Sequence, residues 1–81
     1  MKEVEVYKLP IATVYQVYQG LFCPKIFWHR SMDGMYSYSK DIHGNTINLH
    51  SSALVTPFKQ MTYNEFVRKY GSEELKNTNN P

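Results

Sequence analysis

The chain has 81 residues, which corresponds to one small domain. Its residues are 42% hydrophobic and 15% aromatic. This composition excludes a disordered chain, and no apolar run approaches the ~18 residues that a membrane-spanning helix needs. The formal net charge of +2 permits nucleic-acid binding but does not indicate it, because strong phosphate binders carry clustered Lys and Arg.

Cysteine usage and the N-terminal residues indicate the compartment. Cys23 is the only cysteine, so no disulfide can form within the chain. A disulfide-free chain favours a reducing environment. Glu3 and Glu5 stand where a secretory signal peptide would have its apolar stretch. We therefore expect a cytoplasmic protein.

Three strands are predicted in the first half of the chain. Residues 3–9 alternate valines with charged residues and end before Pro10, which indicates a short strand. Residues 11–18 contain four β-branched residues and two tyrosines, which favours strand, although their apolar spacing also fits a helix. Residues 20–24 are predicted to form a loop, and residues 25–30 the third strand.

Two tight turns are predicted in the second half. The dipeptides Asp33-Gly34 and Gly44-Asn45 supply residues that accept positive φ, as hairpin turns require. The turns are predicted at residues 32–34 and 41–45. The strands that follow them are predicted at residues 35–39 and 46–50, and alternation places Tyr36 and Tyr38 on one face of the first of these strands. After a turn at Ser51-Ser52, a last strand is predicted at residues 54–56, ended by Pro57.

A short helix is predicted at residues 62–70. Thr62 and Glu65 have the spacing of a capping box, in which each side chain bonds the other residue's backbone N–H. Phe66, Val67 and Tyr70 form an apolar face, and Gly71 is placed to end the helix in the left-handed conformation. A helix of about two turns is unstable alone, so it must pack on the sheet.

These elements predict a mainly β domain over residues 1–71, with residues 72–81 as a flexible tail. The predicted architecture is either a small SH3-like barrel or a bent antiparallel meander, with one short C-terminal helix. An α+β fold stays open, because residues 11–18 also fit helical spacing.

Metal binding is a weak alternative. Cys23, His29, His43 and His50 supply enough ligands for zinc, but no two of them stand two to five residues apart, as structural zinc sites usually require. Surface or half-buried histidines that serve as hydrogen-bond partners are the simpler interpretation. We expect no cofactor, and a Cys/His metal protein is kept as a second alternative function.

Catalysis is not predicted. The serines form no G-x-S-x-G motif, and Asp33 and Asp41 stand in turns, where aspartate is favoured because it bonds nearby backbone N–H groups. The four glycines form no phosphate-binding pattern. We therefore expect a binding protein that is not an enzyme.

Aromatic and basic residues on the predicted β-hairpin are the candidate site. Alternation places Trp28 and Arg30 on one face of the strand and Phe27 and His29 on the other. Trp, Tyr and Arg are enriched at protein-binding hot spots, and the same residues can stack single-stranded nucleic acid, which is the first alternative function. The tryptophan and one tyrosine could instead fill the core. The predicted partner-binding residues are Trp28, His29, Arg30, Tyr36, Tyr38 and His43.

Part of the sequence resembles small orphan proteins of tailed bacteriophages. The similar residues are Asp33-Gly34-Met35-Tyr36-Ser37, Asp41, Gly44-Asn45, Leu49 and Val55-Thr56-Pro57, with residues 9–15 resembling the entry to the first strand. The resemblance implies an inhibitor that binds one bacterial host or defence protein in the host cytoplasm and occludes its functional surface. Self-association through the strand edge at residues 3–9 is a further expectation.

Overall fold

A computed structural model describes residues 2–17 and 24–71. These residues form a six-stranded antiparallel sheet and one short C-terminal helix, which confirms the predicted mainly β fold. No helix in the described ranges is long and apolar enough to cross a membrane. The strands are β1 (Val4–Glu5), β2 (Thr13–Val17), β3 (Lys25–Asp33), β4 (Tyr36–Lys40), β5 (Thr46–His50) and β6 (Leu54–Gln60).

The strand order is β1-β6-β2-β3-β4-β5. Strands β2 to β5 form a meander, and β6 returns to pair with β2 on its other side. Four strand spacings would separate β5 from β6 in a flat sheet, about 19 Å, but the four residue steps from His50 to Leu54 span at most about 14 Å. The sheet must therefore curl. Because β5 and β6 do not pair in the part of the chain that the structure describes, it is a bent meander and not a closed barrel.

The ambiguous segment at residues 11–18 is a strand where the structure describes it. Strand β2 pairs with β3 on one side and β6 on the other, so its tyrosine and valines pack in the middle of the sheet. This packing decides against the helical alternative. Tyr18 and most of the predicted loop at residues 20–24 lie outside the described residues.

The predicted strand at residues 3–9 is mostly wrong. Only Val4 and Glu5 pair with β6, and Val6–Lys8 form a 3₁₀ turn. The backbone N–H groups of Val6 and Tyr7 donate to Ala53 and Ser51 in the turn after β5, at 2.8 and 3.1 Å. These bonds hold the 3₁₀ turn against the turn after β5, and Val6 becomes part of the buried core. The strand edge expected to support self-association is thus two residues long.

Proline does not end the last strand as predicted. Strand β6 continues through Pro57, whose Cα partner is Tyr15 on β2. On its other side β6 pairs with β1 only at Leu54 and Val55. Pro57 therefore lies where one neighbouring strand is present, the position in which sheets tolerate a residue without an N–H.

Both predicted turns reverse the chain. Asp33 pairs with Tyr36, so Gly34 and Met35 form a two-residue loop in which Gly34 has a φ of +58°. Gly44 has a φ of +86° in the second turn, where the Asp41 carboxylate accepts from the backbone N–H groups of His43 and Asn45, both at 2.9 Å. Both turns are confirmed, with the glycine as the one residue of each dipeptide that takes a positive φ. The predicted bounds of the first turn are wrong, because Met32 and Asp33 pair in β3 and Met35 lies in the loop.

Helix α1 covers Tyr63–Phe66 and continues as a π-helical turn over Val67–Gly71. The capping box is confirmed: Glu65 N–H donates to Thr62 Oγ1 at 3.1 Å, and Thr62 N–H donates to Glu65 Oε1 at 3.0 Å. The predicted left-handed ending at Gly71 is wrong, because Gly71 lies in the π turn without a positive φ and is buried near Ile42.

The curled sheet has a core on its inner face and the helix on its outer face. The inner core consists of buried apolar residues, namely Val6, Leu9, Tyr15, Val17, Leu49 and Val55. On the outer face, Phe66 is fully buried under the helix and Tyr70 stacks on Phe58 of β6, with centroids 6.4 Å apart. The inner face of the sheet therefore packs on the core, and the outer face packs on the helix except where the helix does not cover it.

Candidate functional site

The register of the hairpins places the predicted site residues on two different faces. Residues directly opposite each other in a sheet point to the same side. Tyr36 pairs with His50 and Tyr38 with Asn48, and Trp28 pairs with Lys40 on the same outer face. His29 lies on the inner face with Tyr15.

A β-bulge changes the position of Arg30. The register shifts between His29 and Ser31, so Arg30 is the extra residue on β3. Simple alternation predicted that Trp28 and Arg30 share a face. After Trp28, the next residue of the strand that faces outward is Ser31, which pairs with Tyr38. Arg30 lies at the bulge and its side chain is exposed.

Trp28 fastens the helix to the sheet. Its indole N–H donates to the Met61 carbonyl at 2.8 Å, and its ring meets that of Tyr63 edge-on, with centroids 5.3 Å apart. The side chain is half-buried in this contact. It therefore contributes to the packing layer, as the alternative interpretation of the sequence allowed, and its role in binding a partner stays a prediction.

His29 is fully buried, so it is not available at the surface as predicted. Its Nδ1 lies 3.1 Å from Ser37 Oγ, and its Nε2 has no hydrogen-bond partner within the described ranges. Burial lowers the pKa of His29, because a charged imidazole would lose its hydration. The neutral form is therefore favoured inside the sheet.

A second buried polar contact lies beside His29. The Tyr15 hydroxyl donates to Ser39 Oγ at 2.6 Å, and burial raises the pKa of Tyr15 to about 12. Ser37 and His29 touch as a nucleophile and a base would, but both are sealed in the sheet, so no substrate reaches them in this conformation. This cluster was not predicted from the sequence, although serines at alternate positions of β4 indicate a polar inner face.

The tyrosines of β4 form the open part of the outer face. Tyr36 is 47% exposed, and its ring meets His50 edge-on with centroids 6.1 Å apart. The half-buried Tyr38 lies beside it, with its hydroxyl 3.5 Å from Asp33 Oδ2. We call this surface the hairpin face; it consists of Asp33, Tyr36, Tyr38, Asn48 and His50.

Two further exposed residues lie at the end of the hairpin face. Ser51 N–H donates to the Met35 carbonyl at 2.7 Å, and the Ser51 carbonyl accepts from Tyr7 N–H at 3.1 Å. Met35 is 60% exposed and Tyr7 is 50% exposed. Neither residue was predicted as part of the site, because residues 7 and 35 meet residue 51 only in the folded chain.

His43 is not brought together with the tyrosines. It lies exposed in the turn after β4, at the opposite end of that strand from Tyr36. The Tyr63 hydroxyl donates to the Asp41 carbonyl at 2.7 Å, which ties this turn to the helix. His43 therefore belongs to the helix side of the outer face.

The histidines do not converge on a metal. Within residues 2–17 and 24–71, no three His, Cys, Asp or Glu side chains are grouped closely enough to hold an ion, and Cys23 lies outside these ranges.

No known family model, curated protein or solved structure matches the chain. A rigid, partly aromatic and exposed face can bind another molecule, and the hairpin face with Tyr7 and Met35 is such a surface.

Proposed function

We propose that this is a non-enzymatic protein-binding protein that docks through the hairpin face and its exposed end. The observation that carries the proposal is that the backbones of Tyr7, Met35 and Tyr36 lie close together. Ser51 bonds to the first two and follows the strand partner of the third, and each of the three residues is about half exposed or more. Isolated exposed apolar residues are ordinary, but neighbouring ones mark interaction sites.

The chemistry of these residues supports a protein partner. Tyr and Met are enriched at the centres of protein interfaces, and the hairpin face with its end contains both types. The tight Gly34 turn and the edge-on contact between Tyr36 and His50 hold the rings before binding. A pre-ordered surface loses less conformational entropy when it docks.

The resemblance to small phage proteins supports a bacterial host or defence protein as the target, in the host cytoplasm. Occlusion is the mechanism that such a surface permits, because it requires only that a functional surface of the target be covered. About 800 Å² on each partner is enough for a specific complex.

The test is capture from bacterial lysate with matched variants. We expect the wild-type chain to retain one protein, and M35S/Y36A to lose at least tenfold of it, because both anchors are removed. Ile11→Ala is the control, since Ile11 is 48% exposed, closely matching Tyr36, but lies outside the hairpin face. Folding of each variant is checked by circular dichroism. Equal capture by the anchor variant and the control, or no retained protein with the fold intact, would contradict the proposal.

A further inference from the structure

A groove of about 280 Å³ lies between the end of β6 and the C-terminal helix. It is distant in sequence from the tyrosines of the hairpin face. Its walls come from both elements, so its shape depends on the packing of the helix against the sheet. The lining residues are Lys59, Gln60, Met61, Glu65, Arg68 and Lys69.

The groove is strongly cationic. Lys59, Arg68 and Lys69 supply three positive charges against the single carboxylate of Glu65, so the lining carries a net charge of +2. Glu65 is held by the capping box, where the Thr62 N–H bond keeps its pKa low and the carboxylate charged. In the part of the chain that the structure describes, the ion pair within 4 Å is the one between Lys8 and Glu5. Glu65 attracts Arg68 and Lys59 electrostatically, but one carboxylate does not balance three cations, so the groove keeps a net positive charge for a ligand.

Aromatic rings border the groove. Phe58 and Tyr70 stand next in sequence to Lys59 and Lys69, and their rings are stacked with an interplanar angle of 17°. Lys69 Nζ lies 5.6 Å from the centroid of Tyr70. Neither ring is part of the groove lining, because the two half-buried rings pack on each other between the helix and the sheet.

We propose that this groove binds single-stranded nucleic acid, with Lys59, Arg68 and Lys69 on the phosphates. A positively charged groove that tracks the phosphate backbone binds single strands without reading their sequence, and the cations of this lining supply that charge. An acidic peptide would satisfy the cations, but Met61 is the one apolar residue of the lining, so the groove lacks the anchors that a peptide would need. This proposal is independent of the hairpin face.

The experiment is fluorescence polarisation of a labelled 12-residue oligo(dT) and oligo(U) with the full chain between 25 and 200 mM NaCl. With three phosphate contacts, the slope of log affinity against log salt is expected to be about −2. The variant K59Q/R68Q/K69Q should bind at least tenfold more weakly at 50 mM, with a slope near zero. The control K2Q/K8Q/K25Q removes three lysines that are exposed outside the groove and should change binding less than threefold.

Three results would overturn the proposal. They are no binding at 25 mM by the folded protein, equal weakening by the groove variant and the control, and tighter binding of oligo-glutamate than of either oligonucleotide. Arg68→Gln alone, at an exposed helical position, covers the case in which the triple variant does not fold, and at least threefold weaker binding is expected from it. M35S/Y36A should bind the oligonucleotides as the wild type does, which separates this site from the hairpin face.

Discussion

A neutral imidazole inside the sheet makes His29 a determinant of stability against pH. Burial holds its pKa below the ordinary value near 6.5, whereas the unfolded chain takes up a proton at the ordinary value. As the pH falls below about 6.5, the unfolded state binds a proton that the folded state does not. The free energy of unfolding must therefore decrease in this range through His29.

We predict that His29→Gln reduces this dependence. Urea denaturation at pH 7.5 and pH 5.0 gives the free energy of unfolding, and the wild type should lose more of it on acidification than the variant does. His50→Gln is the control, because His50 is exposed and should leave the wild-type difference in place. An equal loss in wild type and H29Q would show that His29 does not titrate with folding.

The glycines of the turn and of the helix end should respond oppositely to alanine. Gly71 has no positive φ, and an added Cβ would lie 3.6 Å from Val67 Cγ1, an ordinary contact. Gly71→Ala should therefore raise the free energy of unfolding by about 0.4–1 kcal/mol, because alanine restricts the unfolded chain. Gly44→Ala should lower it by about 1 kcal/mol or more, since Gly44 has a φ of +86°. Urea denaturation measures both, and destabilisation by Gly71→Ala would contradict this account.

At the scale of elements, the position of the C-terminal helix depends on its capped first turn and on two hydrogen bonds with the sheet. The Trp28 indole N–H donates to the carbonyl of Met61, just before the helix, and the Tyr63 hydroxyl donates to the carbonyl of Asp41, in the turn between β4 and β5. A helical segment of nine residues has little stability of its own, so these contacts and the cap determine where it lies.

We predict that Thr62→Ala lowers the free energy of unfolding by about 1 kcal/mol, because the backbone N–H of Glu65 loses its acceptor. Thr62→Ser keeps the hydroxyl and should remain within a few tenths of a kcal/mol of the wild type. Urea denaturation with tryptophan fluorescence is suited to this measurement, since Trp28 reports the helix contact. Equal stability of the alanine and serine variants would rule out a contribution from the cap.

Elements set by local chemistry could be predicted from the sequence, and those set by distant contacts could not. The turns at Gly34 and Gly44 and the cap at Thr62 follow from a few adjacent residues, and all three are confirmed. The 3₁₀ turn after β1 depends on hydrogen bonds to residues 51 and 53, and the path of β6 through Pro57 depends on the short length of β1. The residues within each of these two segments do not indicate the contacts that decide its structure.

The same division applies to the candidate site. Alternation along β4 correctly placed Tyr36 and Tyr38 on one face, because residue spacing alone decides it. It could not show that the helix covers Trp28, or that Tyr7 folds next to residue 51. Those placements are properties of the assembled chain.

At the scale of the whole molecule, the curl of the sheet gives the protein two distinct outer regions. The helix covers one part of the outer face and forms the cationic groove with β6, and the hairpin face remains open on β4 and β5. An aromatic docking surface and an electrostatic one respond differently to salt, because apolar burial is not screened by ions. Binding at the two regions can therefore be separated by ionic strength as well as by substitution.

The extra residue in β3 has a consequence for the shape of the molecule. Trp28 and His29 on one side of Arg30, and Ser31 and Met32 on the other, keep the same sequence of outward and inward positions. Deleting Arg30 would thus leave every other side chain of the strand on its present side. What would change is the additional twist that a bulge introduces, and with it the angle between the aromatic hairpin and the helical half of the protein. A single inserted residue thereby sets the angle between two halves of one continuous sheet.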